Sequence, residues 1–194
     1  FYPHDDADTD ETTLATPCDK DTYCASGAIE ATDCPDNTNT GELINRIQKS
    51  DCVSDPGYYY DVNDELHIHA QACPAGTYNS NNNTISVDGC TKCPENTYSV
   101  NTASTVAVDC LTCPDNSKTT YDDAGNPVQA GVETTGKSLL ADCKPGKMYK
   151  INPENPSEMI LKTGHTMIGP EYTCDSRYYF NDDSGECVIC PQGH

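Results

Sequence analysis

Four cysteines in the middle of the chain have the residue type and spacing for two different chemistries. Cys90 and Cys93 form one CxxC pair, and Cys110 and Cys113 form a second pair after sixteen intervening residues. Four thiolates at this spacing can hold a tetrahedral zinc ion, as in an intracellular zinc-binding module. The same cysteines can instead form disulfides in an oxidised, extracellular protein.

The composition limits what else can hold the chain together. The 194 residues include 13 cysteines and only two Phe, with no Trp, and the mean hydropathy is −0.67. Few large apolar side chains are therefore available for one large core. Cross-links must supply what burial does not, each adding about 2–4 kcal/mol to the free energy of unfolding. The predicted fold class is small and disulfide-rich, mostly β or irregular, with little helix.

The charge and the hydropathy exclude two kinds of partner. The net charge is −20, with 11 Lys and Arg residues against 31 Asp and Glu. Because phosphate contacts need clustered basic side chains, we expect no nucleic-acid partner. No apolar run approaches the roughly 18 residues of a membrane-spanning helix, so the sequence predicts no transmembrane segment.

A repeated phrase divides the chain into units. Cys73, Cys93 and Cys113 are spaced by twenty residues and open the phrases CPAGTY, CPENTY and CPDNSK, while Cys34 opens CPDNT and Cys190 opens CPQG. Proline presets φ for a turn, and Gly or Asn in the fourth place tolerates positive φ. Each unit is therefore predicted to be a turn, a short strand or loop, and a second cysteine.

The places where cysteines are missing distinguish the two chemistries. Asp55 stands where the second cysteine of a CxxC pair would follow Cys52, and Ala70 stands where the first cysteine of a pair would precede Cys73. Gly146 after Cys143 and Glu171 before Cys174 stand at the corresponding positions further along. Loss of a zinc site would remove both cysteines of one pair, whereas loss of a disulfide removes the two ends of one bridge. The pattern favours disulfides that join each CP cysteine to the next cysteine downstream.

This rule predicts five disulfides: Cys34–Cys52, Cys73–Cys90, Cys93–Cys110, Cys113–Cys143 and Cys174–Cys187. Four cysteines allow three pairings, so the start of the chain has a crossed alternative. The two sets are Cys18–Cys24 with Cys34–Cys52, and Cys18–Cys34 with Cys24–Cys52. Cys190 is left over; it belongs to a continuing unit, bonds to another chain, or is a free thiol.

The phrases CPAGTYNS, CTKCPENTYS and CLTC resemble the ephrin-receptor-like or growth-factor-receptor-like cysteine-rich repeat. They are also similar to the repeats of ciliate immobilisation antigens and related protist surface proteins. The resemblance is clearest over residues 73–113 and returns at 187–190. It implies an extracellular, cell-surface protein whose tandem units have an elongated arrangement, each contacting mainly its neighbours. It implies a surface or spacer role rather than catalysis.

The sequence divides into five segments. They are an acidic arm (1–17), a first cysteine-rich segment (18–72), tandem repeats (73–113), an irregular lobe (114–173) and the start of further units (174–194). Phe1 and Tyr2 in the arm are candidates for docking on a neighbouring subunit; a disordered tail is the alternative. Alternation at Leu66, Ile68 and Ala70 predicts a hairpin, and GELINRIQKS is the one stretch with a helical pattern.

Few other residues suggest a site. Asn82 is the one N-glycosylation sequon, so glycans are a candidate modification. His67 and His69 have zinc-binding spacing on a strand, but no third ligand is indicated. Candidates for weak calcium association are Asp61, Asn63, Asp64, Asp182 and Asp183. No other cofactor is expected, and no catalytic motif is present, so the sequence predicts no enzyme.

These features together predict an extracellular structural protein, a subunit of a cell-surface coat or assembled filament. We expect it to associate with itself or with other surface proteins. A receptor-type ligand-binding ectodomain is the alternative, and it predicts monomeric behaviour with saturable binding of a soluble partner. An intracellular zinc-binding module is the third hypothesis, and it predicts loss of the fold with a chelator.

Overall fold

The computed structural model describes residues 18–61, 69–163, 165–168, 171–181 and 186–191. Within these ranges the regular structure consists of eighteen short strands and four 3-10 helices. The 3-10 helices are Lys49–Asp51, Val87–Gly89, Ala107–Asp109 and Leu140–Asp142. The strands are β1 (Thr22–Tyr23), β2 (Thr32–Asp33), β3 (Thr38–Asn39), β4 (Val53–Ser54), β5 (Tyr58–Tyr59), β6 (Gln71–Ala72), β7 (Thr77–Tyr78), β8 (Thr91–Lys92), β9 (Thr97–Tyr98), β10 (Leu111–Thr112), β11 (Ser117–Lys118), β12 (Lys144–Pro145), β13 (Tyr149–Ile151), β14 (Met159–Leu161), β15 (His165–Ile168), β16 (Glu171–Cys174), β17 (Tyr178–Asn181) and β18 (Glu186–Ile189).

Each strand pairs with its neighbour in the chain, which gives nine two-stranded sheets, β1–β2 through β17–β18. The structure confirms the predicted fold class, which is small, disulfide-rich, mostly β or irregular, and with little helix. The chain forms two compact bodies. The N-terminal body comprises Phe1–Thr91 and Asn101–Asp109, and the C-terminal body comprises Lys92–Val100 and Cys110–His194.

The CP phrase forms the turn that starts a hairpin. In four units the backbone N–H of the fifth residue donates to the proline carbonyl over 3.1–3.2 Å, at Thr38, Thr77, Thr97 and Ser117. The fourth residue has positive φ in every case, at Asn37, Gly76, Asn96 and Asn116. The threonine or serine hydroxyl donates to the same proline carbonyl. The phrase therefore encodes a local turn with two hydrogen bonds to one acceptor.

A 3-10 helix delivers the second cysteine of a unit. Each of the four helices ends directly before a cysteine, namely Cys52, Cys90, Cys110 and Cys143. In three of them the last residue is aspartate, whose carboxylate accepts backbone N–H groups from the preceding turn at 3.0–3.2 Å; the residues are Asp51, Asp109 and Asp142. The sequence indicates a helical pattern only in GELINRIQKS, residues 41–50. The one helix that overlaps this stretch is the short 3-10 helix Lys49–Asp51, which begins at its second-to-last residue.

Cysteine dominates the interior. Of the fourteen buried apolar residues among those described, ten are disulfide-bonded cysteines, and the other four are Tyr60, Ala70, Tyr149 and Met159. A mean hydropathy of −0.67 does not allow a larger aliphatic interior. Many aliphatic side chains are exposed instead, such as Val108 at 83% and Ile47 at 63%.

Two predictions about individual hairpins have different outcomes. The predicted hairpin before Cys73 is present as β5–β6, with Tyr59 opposite Gln71; its Leu66 and Ile68 lie outside the described residues. The assignment of Gly146 and Glu171 to the two ends of one unit is wrong. Two hairpins, β13–β14 and β15–β16, lie between Gly146 and Cys174. The cysteine count could not reveal the second one because neither hairpin uses a cysteine to close it.

Candidate functional site: a disulfide-closed repeat frame

Six disulfides close the hairpins. They are Cys18–Cys24, Cys34–Cys52, Cys73–Cys90, Cys93–Cys110, Cys113–Cys143 and Cys174–Cys187. Five of these are the pairs that the CP rule predicts. Cys18–Cys24 is the pairing that the sequence left open, and the crossed alternative for the first four cysteines is not adopted. Their Cα–Cα separations of 5.5–6.1 Å fall in the usual range for disulfides. Cys190 is half-buried and forms no disulfide within the described residues.

In six units the first residue also makes a recurring backbone hydrogen bond. Its N–H donates to the carbonyl of a residue with positive φ in the preceding hairpin, over 2.7–2.9 Å. The six pairs are Cys34 to Asp21, Asp55 to Asn37, Cys73 to Gly57, Cys113 to Asn96, Gly146 to Asn116 and Cys190 to Arg177. Asp55 and Gly146 therefore occupy cysteine positions of the repeat, as the sequence indicates, and Cys190 occupies one too.

The two units without a disulfide use apolar side chains in its place. In the unit that begins at Asp55, Tyr60 and Ala70 are buried one residue beyond the Tyr59–Gln71 pair on each strand. The Tyr60 hydroxyl donates to the Cys52 carbonyl at 3.2 Å, and burial raises the pKa of this phenol. In the unit that begins at Gly146, Tyr149 and Met159 are buried, and they lie on the two paired strands β13 and β14. These two units thus bury a tyrosine and one further apolar side chain where other units have a cystine.

Successive units are joined by a reciprocal pair of backbone hydrogen bonds, here called the junction. In each junction, a loop residue with positive φ donates its backbone N–H to the carbonyl of the first residue of an earlier unit, or of the residue just before it. The residue that follows in the loop accepts a backbone N–H from that same earlier unit through its carbonyl. For example, Ala103 donates to Cys73 at 2.9 Å while Ser104 accepts from Asn79 at 2.9 Å. The same arrangement recurs at Asn45–Arg46, Asn83–Thr84 and Gly136–Lys137.

A polar residue is buried at the seventh place of the phrase, a position that the sequence analysis missed. It is 0–4% exposed in four units, at Thr40, Asn79, Ser99 and Thr119. Asn79 shows how such a residue is satisfied, because its amide donates to the Tyr58 carbonyl at 3.1 Å and to the Thr84 hydroxyl at 2.8 Å. The available signal was the recurrence of a small polar residue two places after the fifth residue of the phrase.

One ion pair supports the junction in the C-terminal body. Lys92 Nζ lies 2.7 Å from Glu133 Oε2, and Gly136 follows three residues after Glu133. The hydrogen bond from Lys92, helped by those from Thr135, lowers the pKa of the Glu133 carboxyl to about 2. Both side chains are more than half exposed, so this pair adds little beyond the backbone bonds of the junction.

Other residues singled out from the sequence are scattered. Asn82 and His69 are both exposed. Phe1, Tyr2, Asn63, Asp64, His67, Asp182 and Asp183 lie outside the described residues. In the described ranges no three His, Cys, Asp or Glu side chains are grouped to hold a metal ion. None of the described helices is long and apolar enough to cross a membrane.

Comparison with known proteins gives no match: no family model, no curated protein and no solved structure is significantly similar to this chain. Six disulfides are consistent with an extracellular or secreted protein.

Proposed function

We propose that this chain is an extracellular structural subunit, part of a cell-surface coat or an assembled surface filament. The observation that carries the proposal is the repeat frame, in which disulfides form most of the apolar interior and recurring backbone bonds join one unit to the next. Such a frame stabilises an extended surface without needing a large hydrophobic core. We assign it no catalytic activity and no cofactor.

The surface supports the same proposal in two ways. Aliphatic side chains from several units are more than half exposed, including Ile29, Ile85 and Val108. Packing of copies against one another would remove these side chains from water, which is favourable. The sequon at Asn82 is exposed and would carry a glycan outward. The likeness of the CP phrases to extracellular cysteine-rich repeats also favours a surface protein.

Sizing of the purified protein tests the proposal. We expect the intact chain to run well above its 21.0 kDa mass in a concentration-dependent way, because a coat or filament subunit self-associates. We expect removal of residues 1–12 to return it to the single-chain mass, since the arm is the proposed connector. The Asn82→Gln variant is the control and should assemble like the intact chain.

A single-chain mass at every concentration, with saturable binding of a soluble partner, would contradict self-assembly and favour the receptor-type ectodomain. Oligomers that persist unchanged after removal of residues 1–12 would agree with self-assembly but contradict the arm as the connector. They would show that another surface connects the subunits.

A further inference from the structure

Two cavities in the C-terminal body adjoin each other, because Gly146 and Tyr149 line both of them. The first has a volume of about 270 Å³ and is also lined by Tyr121, Pro127 and Met148. The second has a volume of about 390 Å³ and includes three lysines. We call the pair the tyrosine–lysine groove. One end is aromatic and the other end is basic.

The aromatic end exists because a cysteine is missing. Gly146 occupies the repeat position that holds Cys73 or Cys113 elsewhere. A Cβ atom added there would lie 3.5 Å from Cε2 of Tyr121 and 3.8 Å from Cδ2 of Tyr149. Glycine thus leaves room for a methyl group beside the two rings. This cavity is smaller than the roughly 300–1,000 Å³ of pockets for drug-sized ligands, so its size suits a single side chain.

The basic end concentrates positive charge in a strongly acidic chain. Four of the 11 Lys and Arg residues line the groove, namely Lys144, Lys147, Lys150 and Lys162. Lys144 is paired with Asp123 at 2.8 Å, and Lys162 with Glu186 at 2.6 Å. Lys147 and Lys150 are exposed and form no ion pair with any described residue. An acidic segment would find two uncommitted ammonium groups, that of Lys147 in the first cavity and that of Lys150 in the second.

The acidic arm has the complementary order of residues. Phe1 and Tyr2 come first, five carboxylates follow within residues 5–11, and the first Lys or Arg is Lys20. An aromatic pair followed by a run of acids matches an aromatic cleft that adjoins a basic cavity. With a net charge of −20, two copies repel each other unless such a local match brings them together.

We propose that the acidic arm of one copy docks in the tyrosine–lysine groove of a second copy. Phe1 or Tyr2 enters the cavity that Tyr121 and Tyr149 line, and carboxylates of residues 5–11 face Lys147 and Lys150. The inference rests on the proposed self-assembly and names the surface that receives the arm.

A peptide of residues 1–17, labelled at its C-terminal end, tests the docking directly. It is titrated into protein that lacks residues 1–12, and fluorescence anisotropy is recorded. We expect saturable binding of one peptide per chain. The dissociation constant should rise about tenfold or more in 0.5 M salt, because exposed charges are screened. A peptide with Phe1→Ala and Tyr2→Ala should bind at least tenfold more weakly.

Two groove variants locate the binding site. Gly146→Ala places a methyl group beside the two rings at ordinary contact distances, so the fold should persist while peptide binding falls about tenfold. Lys147→Glu with Lys150→Glu should weaken binding at least as much. Lys49→Glu, in the N-terminal body, is the charge control and should bind normally. Matching thermal unfolding midpoints establish that all variants are folded.

Several results would overturn the inference. They are an absence of peptide binding, binding that neither groove variant weakens, and binding of a neutral oligosaccharide in place of the peptide. If the intact chain still forms oligomers in these cases, only the groove assignment fails and the proposed function stands. If the peptide binds but the intact chain keeps a single-chain mass at every concentration, both docking between copies and the proposed assembly fail.

Discussion

Replacing Cys93 and Cys110 together with alanine is expected to lower the free energy of unfolding by about 3 kcal/mol. The bridge closes a loop with a sequence separation of 17, and both cysteines are buried, at 0% and 8% exposure. Its loss frees the unfolded chain and also removes part of an apolar interior that is mostly cystine. Guanidinium unfolding of the oxidised double variant beside the parent measures the effect as a lower transition midpoint.

Cys190→Ser is the matched control, because this cysteine forms no disulfide with the described residues. We expect its unfolding midpoint to match that of the parent, as for most substitutions away from the interior. Equal midpoints for the double variant and the parent would contradict the role given to the bridge. Both ends must be replaced together, since one remaining thiol could exchange with other disulfides.

Gly57→Ala is expected to cost about 3 kcal/mol of folding free energy. Gly57 has φ of +83°, and an added Cβ would lie 2.4 Å from the carbonyl oxygen of Ala103. The left-handed backbone costs about 1–2 kcal/mol for alanine. The clash adds about 1–3 kcal/mol, because the obstacle is backbone held in a junction and cannot rotate away. Thermal or denaturant unfolding measures the total.

Gly27→Ala separates the two contributions. Gly27 has nearly the same φ, +82°, and an added Cβ would have nothing within 4 Å. It should therefore cost only about 1–2 kcal/mol. The difference between the two variants reports the close approach of Gly57 to Ala103. Equal costs would mean that the junction does not hold these backbones together.

The disulfide pairing could be predicted because its signal is carried by side chains. A bridge needs two ends, so the paired replacements at Asp55 and Ala70 revealed which cysteines belong together. The turn was equally readable, since Pro and Asn or Gly have definite backbone preferences. The same reasoning failed between Gly146 and Glu171, where an extra hairpin has no cysteine to mark it.

The junctions could not be predicted for a different physical reason. They are made by backbone N–H and carbonyl groups far apart in sequence, and any residue type can supply these. Ala103 gives no warning of its positive φ, a conformation that alanine rarely adopts. The groove depends on the room left at Gly146 and on lysines brought together by folding. The elongated arrangement of units stays a prediction.

Internal disulfides take the place of a hydrophobic core in this protein, and a count of free thiols tests this directly. The native protein is alkylated without reduction and its intact mass is measured, beside a non-reducing gel. We expect six internal bridges and at most one labelled thiol per chain, at Cys190. Four or more labelled thiols after chelation, with one zinc ion lost per chain, would contradict it. That result would restore the zinc interpretation of the two CxxC pairs.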